Sequence, residues 1–164
     1  MNKYVVGVDL GGTNISTALA DFEGNVLAQS IIPTNAHEGE ERVLERIINT
    51  IQSVIKEGEV NLEDVKAIGI GSPGPLDSQK GIIIKTPNLP FTNFNLVRPL
   101  EVKFGVPVFL DNDANVAAIG EYMLGAGRGK KNMVYFTVST GVRGGAHVDG
   151  HIYRANTSTA LAVG

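Results

Sequence analysis

The chain has 164 residues, enough for one domain with a real core, or for one domain and part of another. Its apolar and charged shares are those of a soluble globular protein, and a net charge of −3 leaves no basic surface for nucleic acid or an anionic membrane. No apolar run is long enough to span a bilayer, no signal peptide is present, and the lack of cysteine removes disulfides and thiolate metal sites within the chain, which fits a cytoplasmic protein.

Residues 3–9, 15–21 and 26–32 read as three strands, separated by the turn-rich segments Leu10-Gly11-Gly12-Thr13 and Phe22-Glu23-Gly24-Asn25. Connections this short predict antiparallel neighbours. Residues 40–57 read as a helix, because Val43, Leu44, Ile47, Ile48, Ile51 and Ile55 recur at helical spacing and Gly58 follows. These side chains are helix core rather than a partner-binding stripe. Residues 65–71 form a buried strand stopped by Ser72-Pro73-Gly74-Pro75, and residues 81–85 a short strand. A helix over 95–104, with Asn95 as cap and Pro99 in its early turns, leads to a strand over 106–110 and an alanine-rich helix over 115–124. A strand over 132–139, and a strand, an Asp149-Gly150 turn and the start of another over 145–153, open a new set. The alternation predicts an α/β fold, a mixed sheet with helices on its faces. The restart near Asn132 reads as the opening of a second lobe that stops almost as it begins, with Gly125-Ala126-Gly127-Arg128-Gly129-Lys130-Lys131 as the connection.

Two strand ends carry the chemistry. Asp9 closes the first strand, and Gly11-Gly12 after it let backbone amides approach an anion closely, with Thr13 adding a hydroxyl. Asp9 is placed to organise Mg²⁺ through water. The plainer reading is a hairpin with a Gly-Gly turn. It is not a Walker loop, since no Gly-Lys-Ser/Thr follows and the turn leads into a strand. Asp111-Asn112-Asp113-Ala114-Asn115 follows the strand over 106–110. Asp113, just past a strand and before a helix, is placed to take a proton from a hydroxyl, a task typically worth about 10²- to 10⁴-fold in rate. Asn112 and Asn115 can donate and accept, as polyol recognition demands. The plainer reading is that Asp111, Asn112 and Asp113 cap the helix.

Other segments are weaker. Pro87-Asn88-Leu89-Pro90 holds an amide in a rigid turn. The turn around Gly74 is placed to border a substrate pocket, although turn chemistry alone accounts for it. Thr137-Val138-Ser139-Thr140-Gly141-Val142-Arg143-Gly144-Gly145 repeats the strand–hydroxyl–glycine idea of the first turn; it is a second phosphate turn or a glycine-rich hairpin. His37, His147 and His151 lie in no dense ligand set and read as surface or hydrogen-bonded histidines. Together these features suggest phosphoryl transfer to a small polyol.

The order and spacing of the segments carry more than any one of them. Asp9-x-Gly-Gly-Thr, Ser72-Pro-Gly-Pro, Thr86-Pro-Asn-Leu-Pro, Asn112-Asp-Ala-Asn with Gly120-Glu121, Gly125-Ala-Gly-Arg-Gly and the Thr140-Gly turn follow one another. This set resembles the ROK family of sugar kinases and sugar-responsive repressors, above all its bacterial glucokinase-like members, over nearly the whole chain to Arg154. The resemblance implies an actin-like, ribonuclease-H-like fold of two lobes with the active site between them. It divides the chain into an N-terminal lobe over 1–124, a hinge connection over 125–131 and the beginning of a truncated second lobe over 132–164. It implies ATP- and Mg²⁺-dependent phosphorylation of a hexose hydroxyl, with glucose first and N-acetylmannosamine, fructose, allose and mannose as neighbours. By position, Asp113 is the general base, and Asn88, Asn112 and Asp113 bind sugar hydroxyls. Asp9, Gly11, Gly12 and Thr13 form the first phosphate site, with Asp9 toward Mg²⁺, and Thr140 with Gly141 forms the second. Glu121 matches a family position without a catalytic role. Homo-oligomers are common in the family.

The departures bear on function. Arg143 stands where members carry a glycine run, where it either crowds the turn or adds positive charge to it. After Arg154 the family's Gly-Glu-x-Gly-His segment has no counterpart, nor do its downstream zinc-binding His and cysteines. The 155–164 segment looks like a truncation or frame change. A repressor would carry an N-terminal helix-turn-helix, whereas this chain opens at its first strand. The competing expectations are therefore a hexose kinase, a non-catalytic sugar-binding or regulatory module, and an incomplete kinase fragment that self-associates through exposed edges.

Overall fold

The computed structural model describes residues 3–138, 142–149, 151–153 and 161–162. Three strands open it: β1 (Tyr4–Leu10), β2 (Asn14–Asp21) and β3 (Val26–Pro33). They pair antiparallel, with Leu10 opposite Ile15 and Asn14 opposite Pro33, as the short connections predict. Alternation sets their faces. Val6, Val8 and Leu10 of β1 and Ile15, Thr17 and Leu19 of β2 are buried, while Gly7, Asp9, Ser16 and Ala18 point to the other side.

Helix α1 (Glu40–Glu57) lies on the buried side. Val43, Ile47, Ile51 and Val54 form its inward stripe, and Gly58 follows its last turn. Within this interface the Thr17 hydroxyl donates to Thr50 Oγ1 at 2.8 Å, and Thr50 donates to the Ile47 carbonyl at 2.9 Å, so both buried hydroxyls are satisfied. Strand β4 (Val65–Ser72) returns parallel to β1, Val6 beside Ile68 and Asp9 beside Gly71.

A small antiparallel sheet follows: β5 (Leu76–Asp77), β6 (Ile82–Lys85) and β7 (Thr92–Asn95). Only β6 is expected from sequence. β5 and β7 carry too few apolar residues to announce themselves, and they form because β6 offers free backbone groups on both edges. Helix α2 is Val97–Phe104, two residues shorter at its start than expected. The cap position is Leu96 rather than the expected Asn95, which is drawn into β7 as its last residue; the Asn95 Oδ1 nevertheless accepts from the Arg98 amide of the first turn at 2.9 Å. Gly105, at φ 67, ends it in the left-handed conformation that suits glycine.

Strand β8 (Val108–Asn112) lies parallel to β4, and helix α3 (Asp113–Met123) starts without a loop. The expected helix start at 115 moves to Asp113 because Asn112 is the cap: its Oδ1 accepts from the Ala114 amide at 3.0 Å. The principal sheet has the order β3-β2-β1-β4-β8. Its core, with Leu19, Ile47, Ile51, Ile68, Phe91 and Leu100 fully buried, lies against α1 and α2.

Beyond α3, β9 (Met133–Val138), β10 (Val142–Val148), β11 (His151–Tyr153) and the short β12 (Leu161–Ala162) make a further antiparallel sheet centred on β10. Helix α3 touches β4 of the first sheet and β9 and β10 of this one. The approach to β10 is close: a Cβ on Gly145 would lie 2.6 Å from the Ala118 Cβ. His147 differs from the expected surface or hydrogen-bonded histidine. It is buried, its ring stacks on Tyr122 at 3.9 Å, and neither ring nitrogen has a hydrogen-bond partner among the described residues. The aromatic face and the tight packing beside Gly145 draw it in.

Candidate active site

The site residues gather where strands β1, β4 and β8 end. In β1–β4 register Asp9 stands beside Gly71, and in β4–β8 register Gly71 stands beside Asp111. The two aspartates therefore lie on one sheet face, two strands and about 10 Å apart at the backbone. Asp113 opens α3 directly above Gly71, where a Cβ would sit 3.6 Å from the Asp113 Cα. The open cleft over this face is lined by Asp9, Gly71, Asp111 and Asp113, with Tyr135 and Thr137 arriving from β9.

The Asp9 carboxyl feels its surroundings. Burial first, and then the negative charge of Asp113, hold the Asp9 carboxyl above the usual aspartate value of 3.8. A cation beside Asp9 would offset both effects, and its carboxylate is the kind of hard oxygen donor that Mg²⁺ takes. Asp111 does not face a ligand alone: its Oδ1 accepts from the Asn112 amide at 2.7 Å and from Asn115 Nδ2 at 2.9 Å, bracing the start of α3. Asn115 is buried, and its amide serves this brace. Asn112 is also buried and spends its carbonyl on the cap. Its Nδ2 faces the turn after β4, 3.4 Å from where a Gly74 Cβ would stand.

The first glycine turn is a tight hairpin loop in which the Gly11 amide donates to the Asn14 carbonyl at 2.9 Å. Thr13 is exposed, and Gly11 and Gly12 are half-buried. The Asn88 turn rests directly on it: a Cβ at Gly12 would lie 2.6 Å from the Asn88 Cβ and 3.0 Å from its carbonyl oxygen. Glycine is required here by contact rather than by φ. The expected phosphate turn and the expected sugar-binding Asn88 thus share a wall, which sequence order does not reveal. Thr140 and Gly141 lie outside the described residues, as do the side chain of Arg143 and most of 154–164. Glu121 is used locally, its carboxylate accepting from the Ala126 amide at 3.1 Å where the chain turns back on the end of α3. Among the described residues no three His, Asp or Glu side chains form a group able to enclose a metal ion by themselves.

Sequence reasoning missed Gly71 and Thr34. Gly71 matters only through the register of three strands. Thr34, fully buried just after β3, binds the glycine turn through a bond that spans 23 residues. A polar residue set between Pro33 and Asn35 gives no signal of that.

The chain is 35% identical over 163 residues to a glucokinase of Halalkalibacterium halodurans, covering 99% of this chain and 49% of the relative. It is 32% identical over 153 residues to a xylose repressor of Bacillus subtilis, covering 92% of this chain and 39% of the relative. Among solved structures it is similar to a ROK hexokinase from Thermus thermophilus, with a TM-score of 0.84 and 42% identity over 94% of this chain and 50% of that one. A ROK family glucokinase from Streptomyces griseus, in complex with glucose and AMPPNP, matches with a TM-score of 0.84 and 30% identity over 97% of this chain and 48% of that one. The chain thus spans about half the length of the glucokinases it matches. Its fold is the actin-like α/β arrangement of these kinases, and its sequence matches the ROK family from residue 5 to residue 164: the chain belongs to that family.

Proposed function

We propose that this chain carries the catalytic-base, sugar-hydroxyl and first phosphate elements of an ATP-dependent hexose kinase. The observation that carries the reading is Asp9 beside Gly71 at the end of β1 with Asp113, the first residue of α3, directly above Gly71, close enough for its charge to reach Asp9. Asp113 takes the proton of the sugar hydroxyl as that oxygen bonds to the γ-phosphorus of ATP and the bond from that phosphorus to the β,γ-bridging oxygen breaks, ADP leaving with the bond's electron pair. Asn88, Asn112 and Asp113 hold the hydroxyls of the ring. Gly11, Gly12 and Thr13 receive phosphate oxygens, and Asp9 holds Mg²⁺ through water. ATP with Mg²⁺ supplies the phosphoryl group and spreads its charge. Thr140 and Gly141 form the second phosphate turn. In this reading residues 1–124 are the first lobe, 125–131 the connection and 132–164 the opening of the second. The protein works in the cytoplasm, where ATP and sugar meet. The glucose and AMPPNP held by the Streptomyces griseus glucokinase support the hexose and ATP assignments.

The test is ATP- and Mg²⁺-dependent phosphorylation of a hexose panel by this chain beside Asp113→Asn. Turnover with glucose or a neighbour is expected, and Asp113→Asn should lower kcat by about 10²- to 10⁴-fold, a far larger loss than that in sugar affinity. Sedimentation of the active sample then shows whether two chains join to build the site. Absence of turnover from folded protein would remove catalysis from this chain alone. A second reading, a sugar-responsive module without chemistry, is favoured by the similarity to the Bacillus subtilis xylose repressor. It predicts calorimetric sugar binding with no turnover in either form.

A further inference from the structure

The glycine turn is fastened from behind. Thr34 follows the last residue of β3 and is fully buried. Its hydroxyl donates to the Gly11 carbonyl at 2.6 Å, and its amide donates to the Thr13 carbonyl at 2.8 Å. One residue therefore holds a carbonyl at each end of the turn.

Peptide geometry turns this into an aiming device. The Gly11 carbonyl shares a rigid plane with the Gly12 amide, and the Thr13 carbonyl shares one with the Asn14 amide; in a trans peptide the two groups point in opposite directions. Holding the Gly11 carbonyl toward the buried Thr34 turns the Gly12 amide away from it, and the bond to the Thr13 carbonyl anchors the far end of the turn. The Gly11–Gly12 peptide most needs such a hold, because glycine on each side leaves it free to rotate as a unit. The backbone bond from Thr34 needs no particular side chain. The hydroxyl is different: valine has the same β-branched shape without the donor, and would leave the Gly11 carbonyl without this bond. Its bond serves the turn.

We infer that Thr34 is a positioning residue for the phosphate site: its hydroxyl fixes the Gly11–Gly12 peptide so that the Gly12 amide is aimed outward before an oligophosphate arrives. The inference rests on the reading of the turn as a phosphate site. Thr34 works from the buried side, while the Asn88 turn fixes the position of Gly12 itself.

The experiment compares the full chain with Thr34→Val and Thr34→Ser. Amide spectra of Gly11, Gly12, Thr13 and Asn14 are recorded first without ligand and then during titration with Mg–AMPPNP. Thr34→Val should shift and broaden the Gly12 and Thr13 amides in the free chain and weaken Mg–AMPPNP by about tenfold, the effect of losing one hydrogen bond. Thr34→Ser, which keeps the hydroxyl, should restore both. Rescue by serine separates aiming from packing, since serine loses the methyl group that valine keeps. Wild-type binding that Thr34→Val leaves intact, with its turn amides unmoved, overturns the role of Thr34 alone. A wild-type chain whose turn amides do not respond to Mg–AMPPNP overturns the phosphate reading, and this role with it.

Discussion

The fold alters the chemistry of Asp9. Its carboxyl is held above 3.8 by burial and by Asp113, so the folded chain keeps this proton more tightly than the unfolded chain does. Stability therefore falls as pH rises from 3.8 through the raised value, and above that window the ionised group is a standing cost. Asp9→Asn should raise the melting temperature at neutral pH, and the gain should disappear once the pH drops below 3.8. Mg²⁺ should narrow the same gap by stabilising the wild type and not the variant. Thermal melts across pH, with and without Mg²⁺, check both statements; equal melting temperatures at neutral pH would mean that neither burial nor Asp113 raises the Asp9 carboxyl.

At the scale of elements, the sequence is legible where one period dominates. The first three strands alternate and α1 repeats every three to four residues, so their ends agree with expectation to within one or two positions. Thr92-Asn93-Phe94-Asn95 shows no such period, and it becomes a strand only because Ile83 and Lys85 pair with it. The carboxylates Asp9 and Asp113 are legible one at a time, as a strand end and a helix start. Their meeting over Gly71 is not, because it depends on the register of two parallel pairs. The seam between α3 and β10 is similarly hidden in a glycine. Gly145→Ala would press a methyl group into the Ala118 Cβ and toward the Ala114 carbonyl, 3.1 Å away, neither of which can swing aside. We expect a loss of about 1–3 kcal/mol in urea unfolding. The Tyr122–His147 stack should loosen with it, visible as changed ring-current shifts. An unchanged midpoint would show that β10 can ride up without cost.

The whole molecule is one well-filled layer with an unfilled one beside it. α1 and α2 cover one face of the principal sheet. On the other, a Cβ added to Gly7 or Gly69 would meet nothing within 4 Å among the described residues, and Phe109 on the edge strand is 64% exposed. The cleft with its aspartates opens on this face. Small side chains keep the floor low, so a substrate or a further element has room to lie on it.

The order β3-β2-β1-β4-β8 also sets a sequence of events in time. β1, β2 and β3 are neighbours along the chain and can zip through short turns. β4 finds β1 only after α1 has been traversed, and β8 finds β4 only after the small sheet and α2. Closing those longer loops costs entropy before any contact repays it. The meander with α1 should therefore be the nucleus, and the parallel strands should dock late. Leu19→Ala, on the meander side of the core, should mainly slow refolding, and Leu110→Ala, on β8, should mainly hasten unfolding. Stopped-flow denaturant series of the two variants decide the order; the opposite partition would place the nucleus on the parallel pairs. The carboxylate pair spans the earliest strand and the helix after the latest, so on this order the candidate site is completed only at the end of folding.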